Sequence, residues 1–145
     1  DGWDIEILGT DLSRHSLMRA RKGEYGASAL RTTSDERRTR FFEPGADGRF
    51  KVKPAVRARV NFAHVNLLDE SGIALFPAMD VIFCRNVLIY FDAAVRVAVV
   101  RSFRQRLVFG GYLLLGHSEV LHNLGSGFEL VQLEGDLVYR RPLKS

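Results

Sequence analysis

The stretch Met79-Asp80-Val81-Ile82-Phe83-Cys84-Arg85-Asn86-Val87-Leu88-Ile89-Tyr90-Phe91-Asp92 decides how the chain is read. Val81 to Cys84 is an uninterrupted apolar run of strand-favouring residues, with Pro77 before it and polar residues after it. Such a run suits a strand buried on both faces, as in a parallel sheet covered by helices. It breaks on Arg85-Asn86, a cation and an amide set where the strand ends. In open α/β sheets, ligands bind just beyond the carboxyl ends of strands. Apolar residues resume from Val87 to Phe91, with Tyr90 among them, before Asp92 opens a helix. Polar groups between two apolar runs are costly unless they serve something, so this junction reads as a site.

Upstream, Ile5 to Thr10 reads as a strand ending on Asp11, and Ser13 caps a helix from about Arg14 to Lys22 that Gly23 terminates. An acid at the tip of a strand in a nucleotide-binding sheet commonly bonds ribose hydroxyls, although Asp11 serves equally well as a turn residue. The segment from Glu24 to Arg59 leaves the strand–helix alternation. A polar, helical piece over Ser34–Phe42 leads into the turn Glu43-Pro44-Gly45-Ala46-Asp47-Gly48. Arg49 to Lys53 then alternates as a strand with one wet face, Pro54 stops it, and Val56 to Val60 is expected to continue as a second short strand. This is a small β-subdomain inserted at about residues 24–59, with a basic exposed face.

Val60 to His64 is a further strand of the main sheet, followed by Val65-Asn66-Leu67-Leu68-Asp69. Downstream of Asp92 a helix is expected to about Phe109, burying Val95, Val99, Phe103 and Leu107, with Gly110-Gly111 ending it. Tyr112 to Gly116 is another buried strand. Phe128–Leu133 and Leu137–Arg141 flank Glu134-Gly135-Asp136 as a hairpin. Strands alternating with helices and finished by a C-terminal hairpin indicate an α/β sheet with an antiparallel edge.

A chain of 145 residues fits one domain, able to bury ~70% of its unfolded surface. Its 46% hydrophobic and 26% charged content is ordinary for a globular protein. No run of about 18 apolar residues exists to span a membrane. The start, Asp1-Gly2-Trp3-Asp4, lacks the basic and apolar regions of a signal peptide. Cys84 is the single cysteine, which rules out an intrachain disulfide and makes the cytoplasm the default setting; its place in an apolar strand makes it a packing residue. The net charge of +4 is uneven. Arg31 to Arg59 holds nine basic residues against four acids, so the rest of the chain carries a net −1. That segment is either a solvated surface or a face that steers acidic partners.

Several constellations carry no chemistry. Ser118 between His117 and Glu119 is no triad, because triad partners meet in space rather than adjoin in sequence. His15, His64, His117 and His122 show no metal-ligand spacing, and no metal is expected. No phosphate-cradling glycine loop is present, and the basic segment has no nucleic-acid motif. What remains is a series of polar groups following strands: Asp11, Asn66, and Arg85-Asn86 with Tyr90.

The stretch Asp80 to Asp92 resembles the signature of CheR, the chemotaxis receptor glutamate methyltransferases. So do Gly9-Thr10-Asp11-Leu12-Ser13, Ala20-Arg21-Lys22-Gly23-Glu24-Tyr25, Asn66-Leu67-Leu68, Gly110 to Glu119, and Val138-Tyr139-Arg140, in the same order along nearly the whole chain. The resemblance implies a Rossmann-like class I methyltransferase sheet, an S-adenosylmethionine donor, S-adenosylhomocysteine as product, and receptor glutamates as acceptors. Carried onto matching positions, Asp11 would hold the ribose hydroxyls, Asn66 and Leu67 would border the adenine, and Arg85-Asn86 would meet the cofactor. Arg85 and Tyr90 would lie nearest the acceptor.

The inserted segment would match the family's receptor-docking β-subdomain, and its partner would be the acidic helical bundle of a chemoreceptor's cytoplasmic domain. The Glu43–Gly48 turn is shorter than in members that hold a receptor's C-terminal pentapeptide, which argues against that tether. Two features of the family lack a counterpart: the helical N-terminal domain, and the first strand with its glycine-rich loop, which would lie between the Ile5–Thr10 and Asp80–Cys84 strands. The expectation is therefore an incomplete sheet that belongs to a longer enzyme, pairs with a separate N-terminal piece, or exchanges segments with a second copy. The rival reading is a catalytically incomplete binding module that docks through its basic segment. Nucleic-acid binding stands third, and steep salt dependence on arbitrary DNA would revive it.

Overall fold

Ile7–Asp11 forms the first strand, β1, and Ser13 turns the chain at once into helix α1, Arg14–Lys22. The Ser13 hydroxyl accepts from the Ser16 amide, and Gly23, at φ 64°, closes the helix by donating its amide to Ala20 and Arg19 carbonyls. A glycine is favoured there because side chains crowd the left-handed region. The computed structural model describes residues 2–121 and 127–144; His122, one of the histidines weighed above, lies outside them. The chain divides into two units, Asp1–Asn66 and Leu67–Ser145.

In the first unit, β2 (Glu24–Tyr25), helix α2 (Asp35–Phe41), β3 (Phe42–Pro44), β4 (Phe50–Val52) and helix α3 (Pro54–Arg57) follow α1. The three strands make an antiparallel sheet in the order β2-β4-β3. The β3–β4 turn carries Asp47 at φ 54° and Gly48 at φ 68°, the positive angles its Asp-Gly sequence suits. Pro54 starts a helix rather than merely ending a strand, correcting the expected Val56–Val60 strand. Its fixed φ and missing amide cost nothing at the first helical position. Strand β5, Val60–His64, then pairs parallel with β1, Ile7 opposite Val60 and Asp11 opposite His64. Arg21 donates to the Phe62 carbonyl at 2.9 Å, tying α1 to β5.

The second unit opens with helix α4 (Glu70–Ala74), capped by the Asp69 carboxylate, and continues into β6, Met79–Cys84. A 3₁₀ turn at Leu88–Tyr90 precedes helix α5 (Ala93–Arg106), strand β7 (Leu107–Leu115), and the hairpin of β8 (Glu129–Leu133) and β9 (Asp136–Arg140). Sheet order is β6-β7-β9-β8, with β6 parallel to β7 and the other pairs antiparallel. The core joins Cys84, Leu88, Val99, Val100, Phe103, Leu107, Leu113 and Leu121.

Two expectations need correction in this unit. The run Val81–Cys84 is buried on one face only. Cys84 packs inward, whereas Val81 and Phe83, pointing the other way by strand alternation, are 43% and 71% exposed. Helix α5 covers one face, and among the described residues β6 pairs in its sheet with β7 alone. Helix α5 also ends at Arg106, not near Phe109. Leu107-Val108-Phe109 are strand formers, and Leu107 is almost fully buried opposite Met79. The glycines sit inside β7 where its register against β6 shifts. A Cβ at Gly111 would stand 2.9 Å from the Asp80 carbonyl oxygen.

Candidate functional site

At the carboxyl end of β6 the chain makes an abrupt turn through Arg85, Asn86 and Val87. Asn86 adopts φ 60°, a left-handed conformation that asparagine tolerates better than other residues with a Cβ. The Arg85 and Asn86 side chains are exposed, and Tyr90, at the end of the 3₁₀ turn, is 80% exposed. Leu88 points the other way and is buried, with Val87 and Phe91 packed half-buried against the same core, so apolar side chains anchor the segment while its polar side chains face solvent. Asp92 then accepts from the Val95 amide at 2.9 Å and starts α5.

The turn is held by a residue that sequence reasoning passed over. Glu119 is buried, at 6% exposure. Its Oε2 accepts from the Asn86 and Gly116 amides, each at 2.7 Å, and its Oε1 accepts from the Val87 and Leu88 amides at 2.8 and 2.7 Å. Burial pushes this carboxyl up, but the hydrogen bonds from Gly116, Asn86, Leu88 and Val87 outweigh it and hold it below its ordinary value. Gly116 must lack a side chain, since a Cβ there would stand 2.7 Å from Oε2 and 3.1 Å from the Asn86 amide nitrogen. Just past Glu119, the Leu121 amide donates to the Tyr139 hydroxyl at 3.0 Å, which ties this segment to β9. Cys84 is buried beside the cradle; burial and the Glu119 charge push its thiol up to about 12, which leaves it a packing residue. The trace of this arrangement in the sequence was an acid three residues beyond the end of an apolar strand.

In the first unit, Asp11 sits at the carboxyl tip of β1, exposed, with its Oδ1 accepting from the Ser13 amide at 2.7 Å. That bond makes it the turn residue the sequence allowed and also fixes the carboxylate's direction. The Val65 amide donates to the Asp11 carbonyl, so exposed Asn66 follows β5 at the same end of the β1–β5 pair as Asp11. Leu67 is the first residue of the second unit and packs half-buried against the core there. The second unit thus brings together Arg85, Asn86 and Tyr90, and the first brings together Asp11 and Asn66.

The basic segment is less free than its composition suggests. Lys53 donates to the Thr39 carbonyl and Arg57 to the Arg21 carbonyl, both at 2.7 Å, and Arg38 pairs with Asp35 at 2.6 Å while lying over the Phe50 ring. Phe42 meets Tyr25 edge-on at 6.4 Å between ring centres. The ring pair joins β2 to β3, and the other contacts tie α2 and α3 to the segments around them.

The family model described as "CheR methyltransferase, SAM binding domain" matches residues 1–136. The chain is 44% identical over 137 residues to a protein named "Chemotaxis protein methyltransferase 1" from Pseudomonas aeruginosa, covering 94% of this chain and 49% of that protein. It is 43% identical over 136 residues to "Chemotaxis protein methyltransferase Cher2" from Pseudomonas putida, covering 93% and 49%. The chain therefore spans about half the length of the curated relatives it matches. A solved structure described as a possible exported protein from Bordetella parapertussis aligns with a TM-score of 0.56 and 13% identity, over 94% of this chain and 53% of that one, a likeness of fold alone.

Proposed function

Because the chain belongs to the CheR methyltransferase family through its SAM-binding domain, we propose that it takes part in methyl transfer from S-adenosylmethionine to glutamate side chains of chemoreceptors, forming glutamyl methyl esters. The observation that carries this reading is the turn after β6, where buried amides are satisfied by Glu119 and Arg85, Asn86 and Tyr90 are left facing solvent. The side chains present suit the cofactor. In the first unit, Asp11, oriented by the Ser13 amide and exposed, can accept from ribose hydroxyls, and Asn66 follows β5 at the same end as a candidate to border the adenine; in the second unit, Leu67 and exposed Asn86 are the candidates for cofactor contact.

When bound, S-adenosylmethionine supplies a methyl group on a sulfonium that leaves as a neutral thioether. The acceptor needs no general base, since an unperturbed glutamate with pKa ~4.3 is already ionised at neutral pH. The protein's task is orientation, which can contribute about 7–11 kcal/mol toward the barrier. Arg85 presents a planar fork of donors suited to holding a carboxylate in one direction. It serves best by holding loosely, because full neutralisation would weaken the nucleophile. Tyr90 would border the same acceptor. The reaction would take place in the cytoplasm, on the receptor's acidic helical bundle. The rival docking-module reading loses ground because Arg38, Lys53 and Arg57 are engaged in internal contacts, with Asp35 and with carbonyls of α2 and α1.

The test uses the natural full-length gene product with a purified receptor cytoplasmic fragment and donor labelled in the methyl group. Label should enter the fragment in base-labile form, and Arg85→Ala should lower its rate roughly 100-fold, about 2.7 kcal/mol at 1.36 kcal/mol per tenfold. Failure of the unaltered protein to place any base-labile label on the receptor would sink the proposal.

A further inference from the structure

We propose that Glu119 is the positioning residue of this methyl-transfer site, its carboxylate setting the path of the turn that carries Arg85, Asn86 and Tyr90. The inference rests on the function proposed above and extends it to a residue that touches neither donor nor acceptor. Each carboxylate oxygen serves two amides, at 2.7 to 2.8 Å. Three of those amides belong to consecutive residues, Asn86 to Leu88, in the turn itself. Consecutive amides converging on one carboxylate require a sharply bent backbone, and Asn86 adopts a left-handed φ of 60° there. Such a conformation costs a residue with a Cβ more than the right-handed one, asparagine less than most, and the bonds from the Asn86, Val87 and Leu88 amides to Glu119 offset that cost.

The fourth amide, from Gly116, follows directly on the end of β7, the strand paired with β6. The carboxylate thereby couples the turn to the sheet, so Arg85 and Tyr90 are oriented against a rigid frame. A group that touches only main chain cannot select a substrate. It can decide whether the side chains that do so are aimed correctly, and misplacement by 1 Å can cost about 100-fold in rate.

The experiment measures S-adenosylhomocysteine binding by calorimetry, and receptor methylation, for the natural full-length protein and for Glu119→Gln and Glu119→Asp. Calorimetry separates the two ways a variant can fail. Loss of folded protein lowers the binding stoichiometry and leaves Kd unchanged; a displaced turn raises Kd at full stoichiometry. The expected result is a tenfold or greater rise in Kd for Glu119→Gln, with Glu119→Asp intermediate because it keeps the charge but is one methylene short. If Glu119→Gln does not fold, Glu119→Asp decides. Wild-type Kd and rate in a fully folded variant would overturn the inference and leave the proposed function standing. An unaltered protein that neither binds nor transfers would overturn both.

Discussion

The Asn86 amide and the Glu119 carboxylate, 33 residues apart in the chain, lie 2.7 Å from each other. This contact makes a stability prediction with a definite pH window. The Glu119 carboxyl is held below its ordinary 4.5, so the stability it contributes is fully present above that value and is lost as pH falls through the folded-state value. Glu119→Gln leaves buried amides poorly matched and should cost about 1–3 kcal/mol at pH 7. In urea titrations the variant should unfold earlier at neutral pH, and its curve should begin to approach the wild type's as pH falls below the ordinary carboxyl value, meeting it only once pH has passed the lowered folded-state value. Two curves that stay parallel throughout would contradict the assignment.

Cys84 offers a chemical probe of the same region. Its thiol, pushed up to about 12, is essentially un-ionised at pH 8, and the side chain is buried. A disulfide reagent should modify it at least 100-fold more slowly in the native chain than in urea. Rapid modification of the native chain would mean that the core beside the turn is open.

The one-sided burial of β6 can be tested by truncating one residue on each side. Leu113, beside β6 in the core, has no exposed surface, and Leu113→Ala should cost about 2–5 kcal/mol. Phe83 is 71% exposed, and Phe83→Ala should change stability by under about 1 kcal/mol. Equal losses in thermal or urea unfolding would show that something covers the second face.

Glycine substitutions should separate crowding from conformation. At Gly111 a Cβ meets carbonyl oxygens of Asp80 and Val108 at 2.9 and 3.0 Å, neither of which can swing aside, and alanine there should cost about 1–3 kcal/mol. Gly135 stands in the hairpin turn at φ 88° with open space around it, so Gly135→Ala should cost only backbone strain, about 1–2 kcal/mol. Crowding also shifts β6 against β7, so only Gly111→Ala should perturb amide resonances of Val81 to Cys84.

Local chemistry made much of this fold readable. Ser13 and Gly23 bracket α1, Asp92 opens α5, and Val60 to His64 reads as the strand it forms, because each signal acts within a few residues of its effect. The misreadings arose where a distant partner decided the outcome. Leu107 suits helix spacing and strand packing equally, and pairing with β6 settles it. Phe83 reads as core, yet which face of a strand is covered depends on the sheet's neighbours. Asp11, Asn66, Arg85, Asn86 and Tyr90 were visible as polar residues after apolar strands. Glu119 was not, because its meaning lies in amides from a turn some thirty residues earlier.

The grip of Glu119 on backbone alone carries an implication for how such a site can diversify. An acid that bonded the Arg85 or Tyr90 side chains would have to change whenever they did. Bonded instead to peptide groups, which every residue but proline supplies, it acts as a socket indifferent to the tool it holds. New side chains at positions 85 and 90 can be tried against new acceptors without rebuilding the mount.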